Sequence, residues 1–230
     1  MLEPYAQCMD PQPVAPSRWC FDPDAWPDDD CVAIGGDLEP GTIVEAYRHG
    51  AFPMPLDSAL AWWSPVRRGV LLSGDLRVSR SLRRSARAFE LTYDTDFAGV
   101  VRACADPNRP GAWISPEIQA AYIRLHELGW AHSVETRDAG GALVGGLYGL
   151  QVGRLFDGES MFHRARDASK VALMGLVEAQ PDGIIDVQWQ TPHLATLGVT
   201  ELDREDYLRR IADLIDLPSS RWPPPTSRPR

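Results

Sequence analysis

Nothing in this chain announces metal, phosphate-loop or membrane chemistry, and each absence narrows what it can do. The four cysteines, Cys8, Cys20, Cys31 and Cys104, form no C-x-x-C pair, and no histidine stands at zinc-finger spacing. Free thiols in a reducing compartment are therefore expected. No stretch approaches the roughly 20 apolar residues that a membrane span needs. The opening MLEPYAQCMDPQPVAPS has neither an apolar run nor a basic flank, so no signal peptide is read there. A cytoplasmic protein with no membrane partner, no metal and no cofactor is the expectation. Positive charge is scarce as well: a formal net charge of −9 argues against generic polyanion binding, which needs basic surface. RNA remains open if positive charge is concentrated locally.

What is present is ordinary globular material, 44% hydrophobic and 24% charged. Its 230 residues allow one large domain, or one domain with a smaller companion. Residues 1–20 read as a loosely ordered Pro-rich extension, 21–67 as a small N-terminal α/β unit, and 68–217 as the main domain. Residues 218–230, a Pro-rich tail, can only be extended. In the small unit a helix is predicted over Thr42 to His49, while AFPMP and WWSP read as irregular chain. Further on, helices are predicted over Val78 to Phe89, Phe97 to Ala105, Pro116 to Leu128, Asp167 to Gln180 and Asp203 to Ile215. Strands are predicted over Gly69 to Ser73, Glu90 to Tyr93, Ala131 to Arg137, Ala142 to Leu150 and Ile184 to Gln188, with Arg154 to Asp157 extending the meander. That order is an α+β pattern with a mixed sheet.

Four groups of residues carry chemistry. Arg77, Arg80, Arg83, Arg84 and Arg87 crowd one helix-length segment that has no acidic residue. At about 100° per residue they share a face opposite Val78, Leu82, Ala86 and Phe89. Unpaired like charges repel, so an RNA backbone is the expected partner. Asp186 and Gln188, two apart on an apolar strand, are expected to emerge on one face. There Gln188 would accept from an incoming ammonium, and Asp186 would orient it. Glu159, in a predicted Gly158 to Phe162 loop, suits a cationic acceptor side chain, with Asp157 a weaker candidate. Trp62, Trp63, Trp113, Tyr122, Met161 and Met54 supply aromatic and polarizable surface for an acyl group. Such a pocket separates neighbouring apolar side chains by only about 1–3 kcal/mol. Tolerance among Leu, Phe and Met follows.

The strings GGDL, AFP, WWSP, SRS-x-R-R, AY-x-RLHELG-x-AHS, LVGGLYG, LF-x-GESMF, ASK and ID-x-Q resemble the leucyl/phenylalanyl-tRNA–protein transferase family from about Phe21 to Trp222. The resemblance implies a GNAT-like acyltransferase fold, with a mixed, mostly antiparallel sheet, for the main domain. It implies transfer of Leu or Phe from aminoacyl-tRNA to proteins beginning with Arg or Lys, marking them for degradation by the N-degron route. By similarity Asp186 and Gln188 are the catalytic pair, and Glu159 serves the acceptor. Trp113 and Tyr122 would lie near the aminoacyl-adenosine end, with the arginine helix facing tRNA. Met54 and Pro55 depart from the family, which commonly has an aromatic after AFP. Two other readings stay open: a GNAT-type acetyl-CoA transferase, since Arg137 to Ala142 formally fits R-x-x-G-x-A, and a non-catalytic tRNA-binding module.

Overall fold

A computed structural model describes residues 10–109 and 112–224. The predicted extension at 1–9, with Cys8, and the end of the tail at 225–230 lie outside the described residues. Among those described, Cys20, Cys31 and Cys104 are free thiols. No helix there is long and apolar enough to cross a membrane.

Local signals set the helices. Helix α1 (Pro40–Arg48) starts on its proline, and Gly50, at φ 79°, turns the chain away from its end. Helix α2 (Arg80–Ala86) is shorter than predicted, because the Ser79 hydroxyl caps it by accepting from Leu82 N–H. Arg77 is thus upstream of the helix, and Arg87 is its C-terminal cap. Asp96 caps α3 (Phe97–Cys104), and Ser115 caps α4 (Pro116–Glu127). Helices α5 (Ala168–Ala179), α6 (Pro192–Thr196) and α7 (Arg204–Ala212) complete the set.

Strands β1 (Cys31–Ile34), β2 (Phe52–Leu56) and β3 (Ala59–Trp63) form a small antiparallel sheet in the order β1-β3-β2. AFPMP and WWSP are therefore a hairpin, not irregular chain. Pro53 and Pro55 are tolerated because β2 is an edge strand, and two residues apart they turn the same side, away from β3. The main sheet holds β4 (Arg67–Leu72), β5 (Glu90–Tyr93), β6 (Ala131–Arg137), β7 (Leu143–Val152), β8 (Leu155–His163), β9 (Ile184–Gln188) and β10 (Thr200–Asp203). Its order is β10-β4-β9-β8-β7-β6-β5. Only β8 and β9 run parallel; every other pair is antiparallel. The fold is α+β with a mixed, mostly antiparallel sheet, as expected. The segment Gly158 to Phe162, predicted as a loop, lies inside β8.

One apolar cluster runs through both regions of the chain, from Ile43, Tyr47, Phe52 and Trp62 to Val100, Tyr122, Tyr148 and Phe162. A second packs α5 against the other side of the sheet, through Leu147, Leu173, Leu176 and Ile185. Residues at both ends are fastened to this body. Gln12 N–H donates to Leu128 O at 2.8 Å, and Trp130 Nε1 donates to Gln12 O at 2.8 Å. Trp222 is buried against Tyr93, His132 and Phe156. The segment expected to be loosely ordered thus hydrogen-bonds to the body at Gln12, and the tail, without helix or strand over 218–224, buries Trp222.

Candidate active site

The parallel pairing of β8 and β9 stops at Asp157 opposite Asp186. Past that point each strand carries an irregularity. On β8 the partners of Tyr148 and Gly149 are Ser160 and Gly158, so Glu159 is the extra residue of a bulge. On β9 the partners of Gly69 and Val70 are Gln188 and Asp186, which leaves Val187 as the extra residue. Bulges bend a strand and re-aim its side chains. Here they separate two strands that had been paired, and a cavity of about 160 Å³ opens between them and α5. Gly158, Glu159, Ser160 and Met161 line one wall, and Ile185, Val187 and Gln188 another. Leu147, Leu173, Leu176 and Leu194 close it with hydrocarbon.

Below the cavity the two strands are sealed. Asp186 is fully buried and accepts from Arg68 Nε at 2.9 and 2.8 Å, from Arg68 Nη2, and from Tyr207 Oη at 2.7 Å. Arg68 is itself buried, donates through Nη1 to Gly50 O at 3.1 Å, and sits over the Phe52 and Tyr207 rings. Burial alone would raise Asp186, but the Arg68 charge and its hydrogen bonds outweigh it, so the carboxyl is held below the usual range. Asp157 goes the other way. Burial, then the Asp186 charge, pushes it well above the carboxylate range, and neither of its oxygens accepts a hydrogen bond among the described residues. The Arg68 guanidinium, with Nη2 3.9 Å from Asp157 Oδ1, opposes that rise. An acceptor peptide cannot reach Asp157, which removes it from the acceptor site.

Asp186 meets Gln188 through the main chain: Gln188 N–H donates to Asp186 Oδ1 at 2.8 Å. That bond fastens a left-handed backbone at Gln188, φ 59°, where simple strand alternation no longer applies. The expected shared face of Asp186 and Gln188 is thereby corrected. Asp186 is walled in, while Gln188, 8% exposed, lines the cavity. The Gln188 Nε2 donor is buried with no partner among the described residues.

Glu159 is 7% exposed. Its Oε1 accepts from Tyr47 Oη, and Tyr47 Oη lies 2.5 Å from Tyr122 Oη. Oε2 is buried without a partner among the described residues. Burial raises the Glu159 carboxyl to about 7 against the stabilising donation of Tyr47 and Tyr122. The site thus offers an apolar cavity, one amide and one carboxylate that titrates near neutrality.

The remaining expected residues are dispersed. Met161 lines the cavity. Tyr122 is fully buried in the Glu159 network rather than on an acyl pocket. Trp62 is core, edge-on to Phe21 at 4.8 Å, with Nε1 donating to Gly35 O. Trp63 and Met54 pack against the first apolar cluster, and Trp63 Nε1 donates to Met54 O at 2.9 Å. Trp113 lines a separate open cleft of about 750 Å³ with Leu60, Pro107 and Ile118. Arg109 ties that cleft's loop to β8, donating to Met161 O at 2.6 Å. Sequence reasoning missed Arg68, Tyr207, Tyr47 and the leucines of α5; only the all-round apolar run of α5 hinted at the last. Arg77, Arg80, Arg83, Arg84 and Arg87 are all exposed and form no ion pair among the described residues.

Two family models match the chain: the leucyl/phenylalanyl-tRNA protein transferase N-terminal domain over residues 36–66, and leucyl/phenylalanyl-tRNA protein transferase over 70–212. The leucyl/phenylalanyl-tRNA–protein transferase of Aromatoleum aromaticum is 50% identical over 193 residues, covering 80% of this chain and 81% of the relative. That of Dechloromonas aromatica is 47% identical over 199 residues, covering 83% and 85%. A solved structure of L-PGS from Bacillus licheniformis aligns with TM-score 0.36 and 10% identity, over 65% of this chain and 53% of that one, too slight a likeness to carry an argument. The matched models and relatives settle the assignment: this chain belongs to the leucyl/phenylalanyl-tRNA–protein transferase family and is an aminoacyltransferase.

Proposed function

We propose that the chain moves Leu or Phe from aminoacyl-tRNA to the α-amino group of proteins beginning with Arg or Lys, with the β8–β9 cavity as the reaction site. The observation that carries this is the placing of Gln188 and Glu159 on one apolar cavity of about 160 Å³. Its leucine-rich walls suit a Leu or Phe side chain, and Glu159 supplies the anion that a basic acceptor needs. The Trp113 cleft would receive the terminal nucleoside of the donor. The exposed arginines of and around α2 would hold the tRNA backbone by charge rather than by reading bases.

The chemistry asks little of the protein. An α-amino group has a pKa near 7.7–8.0, so its neutral form costs only about 1 kcal/mol at pH 7. The donor ester is already activated. In the proposed step the amine nitrogen bonds to the ester carbon, the carbon–ribose oxygen bond breaks, and the amine proton passes to that ribose oxygen. Gln188 accepts an N–H of the amine with its amide oxygen and offers the unpartnered Nε2–H to the carbonyl oxygen. Asp186 acts through the backbone of Gln188 and does not touch substrate. Holding the two reactants together supplies most of the acceleration.

An acetyl-CoA reading is less well supported. In the Arg137 to Ala142 turn, Gly140 and Ala142 N–H both donate to Asp138 Oδ1, so they are not free to cradle a pyrophosphate. The test offers labelled Leu-tRNA and Phe-tRNA with peptides beginning Arg, Lys or Ala. Label should pass to the first two only; equal transfer to all three would remove Glu159 from acceptor choice. Gln188→Ala should lower turnover at least 100-fold with little change in tRNA affinity, and equal losses in both would refute its role.

A further inference from the structure

Glu159 rests on residues from two separate parts of the chain. Tyr47 lies on α1, in the region matched by the N-terminal family model, and Tyr122 lies on α4, 75 positions later. Both phenols are fully buried. Each carries one proton, and this fixes the direction of the chain. Tyr47 Oη donates to Glu159 Oε1, so the proton between the two phenols belongs to Tyr122, which donates to Tyr47. Tyr148 closes the far side with its ring edge-on to Tyr122 at 5.5 Å. With Oε1 taken by this donor, Oε2 is left buried with no partner among the described residues, on a side chain that lines the cavity.

We propose that Tyr47 is a positioning residue for transfer: its hydroxyl, backed by Tyr122, holds Glu159 ionised and aimed at the incoming amino terminus. This rests on the reading of Glu159 as the acceptor-side anion. Other charged and titratable groups bear on Glu159 from the surrounding elements: Tyr148 on β7, Asp157 on β8, Asp186 on β9 and Arg68 on β4. Asp186 opposes ionisation of Glu159 and Arg68 favours it, while burial pushes Asp157 and Tyr148 well above their ordinary values. Tyr47 thus donates to Oε1 with Tyr122 beside it as a second stabilising phenol, and on this reading the N-terminal unit is a working part of the site.

The experiment compares the full chain with Tyr47→Phe, which keeps the ring and removes the donor. Carboxyl-¹³C glutamate labelling, with Glu159→Gln to assign the resonance, follows the Glu159 titration directly. Loss of a charge-assisted bond should raise its midpoint by about one pH unit. The acid limb of kcat/KM for an Arg peptide should move upward by the same amount. Activity at pH 6 then falls about tenfold, and at pH 9 it returns to within about twofold of wild type. A loss equal at all pH values, or an unmoved Glu159 midpoint, overturns the proposal. Tyr122→Phe should shift both readouts in the same direction by less; if Tyr47→Phe does not fold, an unshifted Tyr122→Phe overturns it instead. A shifted resonance in a protein that transfers equally to Arg, Lys and Ala peptides would leave the Tyr47 bond standing but refute the acceptor reading.

Discussion

Two buried carboxylates lie on neighbouring strands and are treated in opposite ways. Asp186 is fully satisfied, by a guanidinium, a phenol and a backbone N–H, and has no opening. Glu159 is half satisfied: Oε1 accepts from Tyr47, Oε2 is buried with no partner among the described residues, and the residue lines the cavity. The first arrangement stiffens the sheet. The second leaves one carboxylate oxygen without a partner, which the proposed reaction would use for a cationic acceptor.

The contrast can be broken most forcefully from the sealed side. Arg68→Met would leave Asp186 buried without its counter-ion, and folding stability in urea should fall by about 3–5 kcal/mol. A loss under about 1 kcal/mol would mean that Asp186 simply takes up a proton, and the distinction would dissolve.

The open side should show itself through pH. Glu159 titrates higher in the folded chain, from 4.5 to about 7, so the native state holds its proton more tightly. The resulting stability is complete below the unfolded value and disappears as pH rises through the folded one. Glutamine does not titrate. Glu159→Gln should therefore gain roughly 3 kcal/mol on wild type between pH 4.5 and pH 8. Urea midpoints at the two ends check this, and a constant offset would place Glu159 in a wetter setting than the geometry gives it.

The smallest stability effect belongs to the surface. Arg80→Glu with Arg84→Glu should alter stability by no more than about 0.5 kcal/mol. Yet tRNA affinity should drop, and its dependence on log salt should flatten by about 2. An unchanged salt slope would detach the arginine face from tRNA.

How far the sequence reaches depends on the range of the interaction. Helix α4 was readable because Ser115, Pro116 and Gly129 sit next to what they cap. The β6–β7 hairpin was readable from its turn. By contrast the prolines of β2 concealed an edge strand, and Gly158 with its acidic neighbours looked like a loop. In the site, Gln188, Glu159 and Met161 were legible as residue types in ungeneric strings, and the cavity holds all three. Their surroundings were not. Arg68 finds Asp186 118 positions away, and Tyr47 finds Glu159 after 112. No local pattern marks either partner, so a buried guanidinium looks in sequence like any surface arginine. The left-handed turn of Gln188 is equally invisible, since it goes with the Asp186 bond and the β9 bulge at Val187.

Under the role proposed for Gln188, that turn also sets thermostability against turnover. Asp57, Asp94 and Asp167 share the left-handed region, but aspartate tolerates it in turns, whereas glutamine at a strand end bears roughly 1 kcal/mol of strain. Glycine would relieve it. A selection for heat resistance alone would thus favour glycine at 188, at the expense of the amide that the proposed reaction uses.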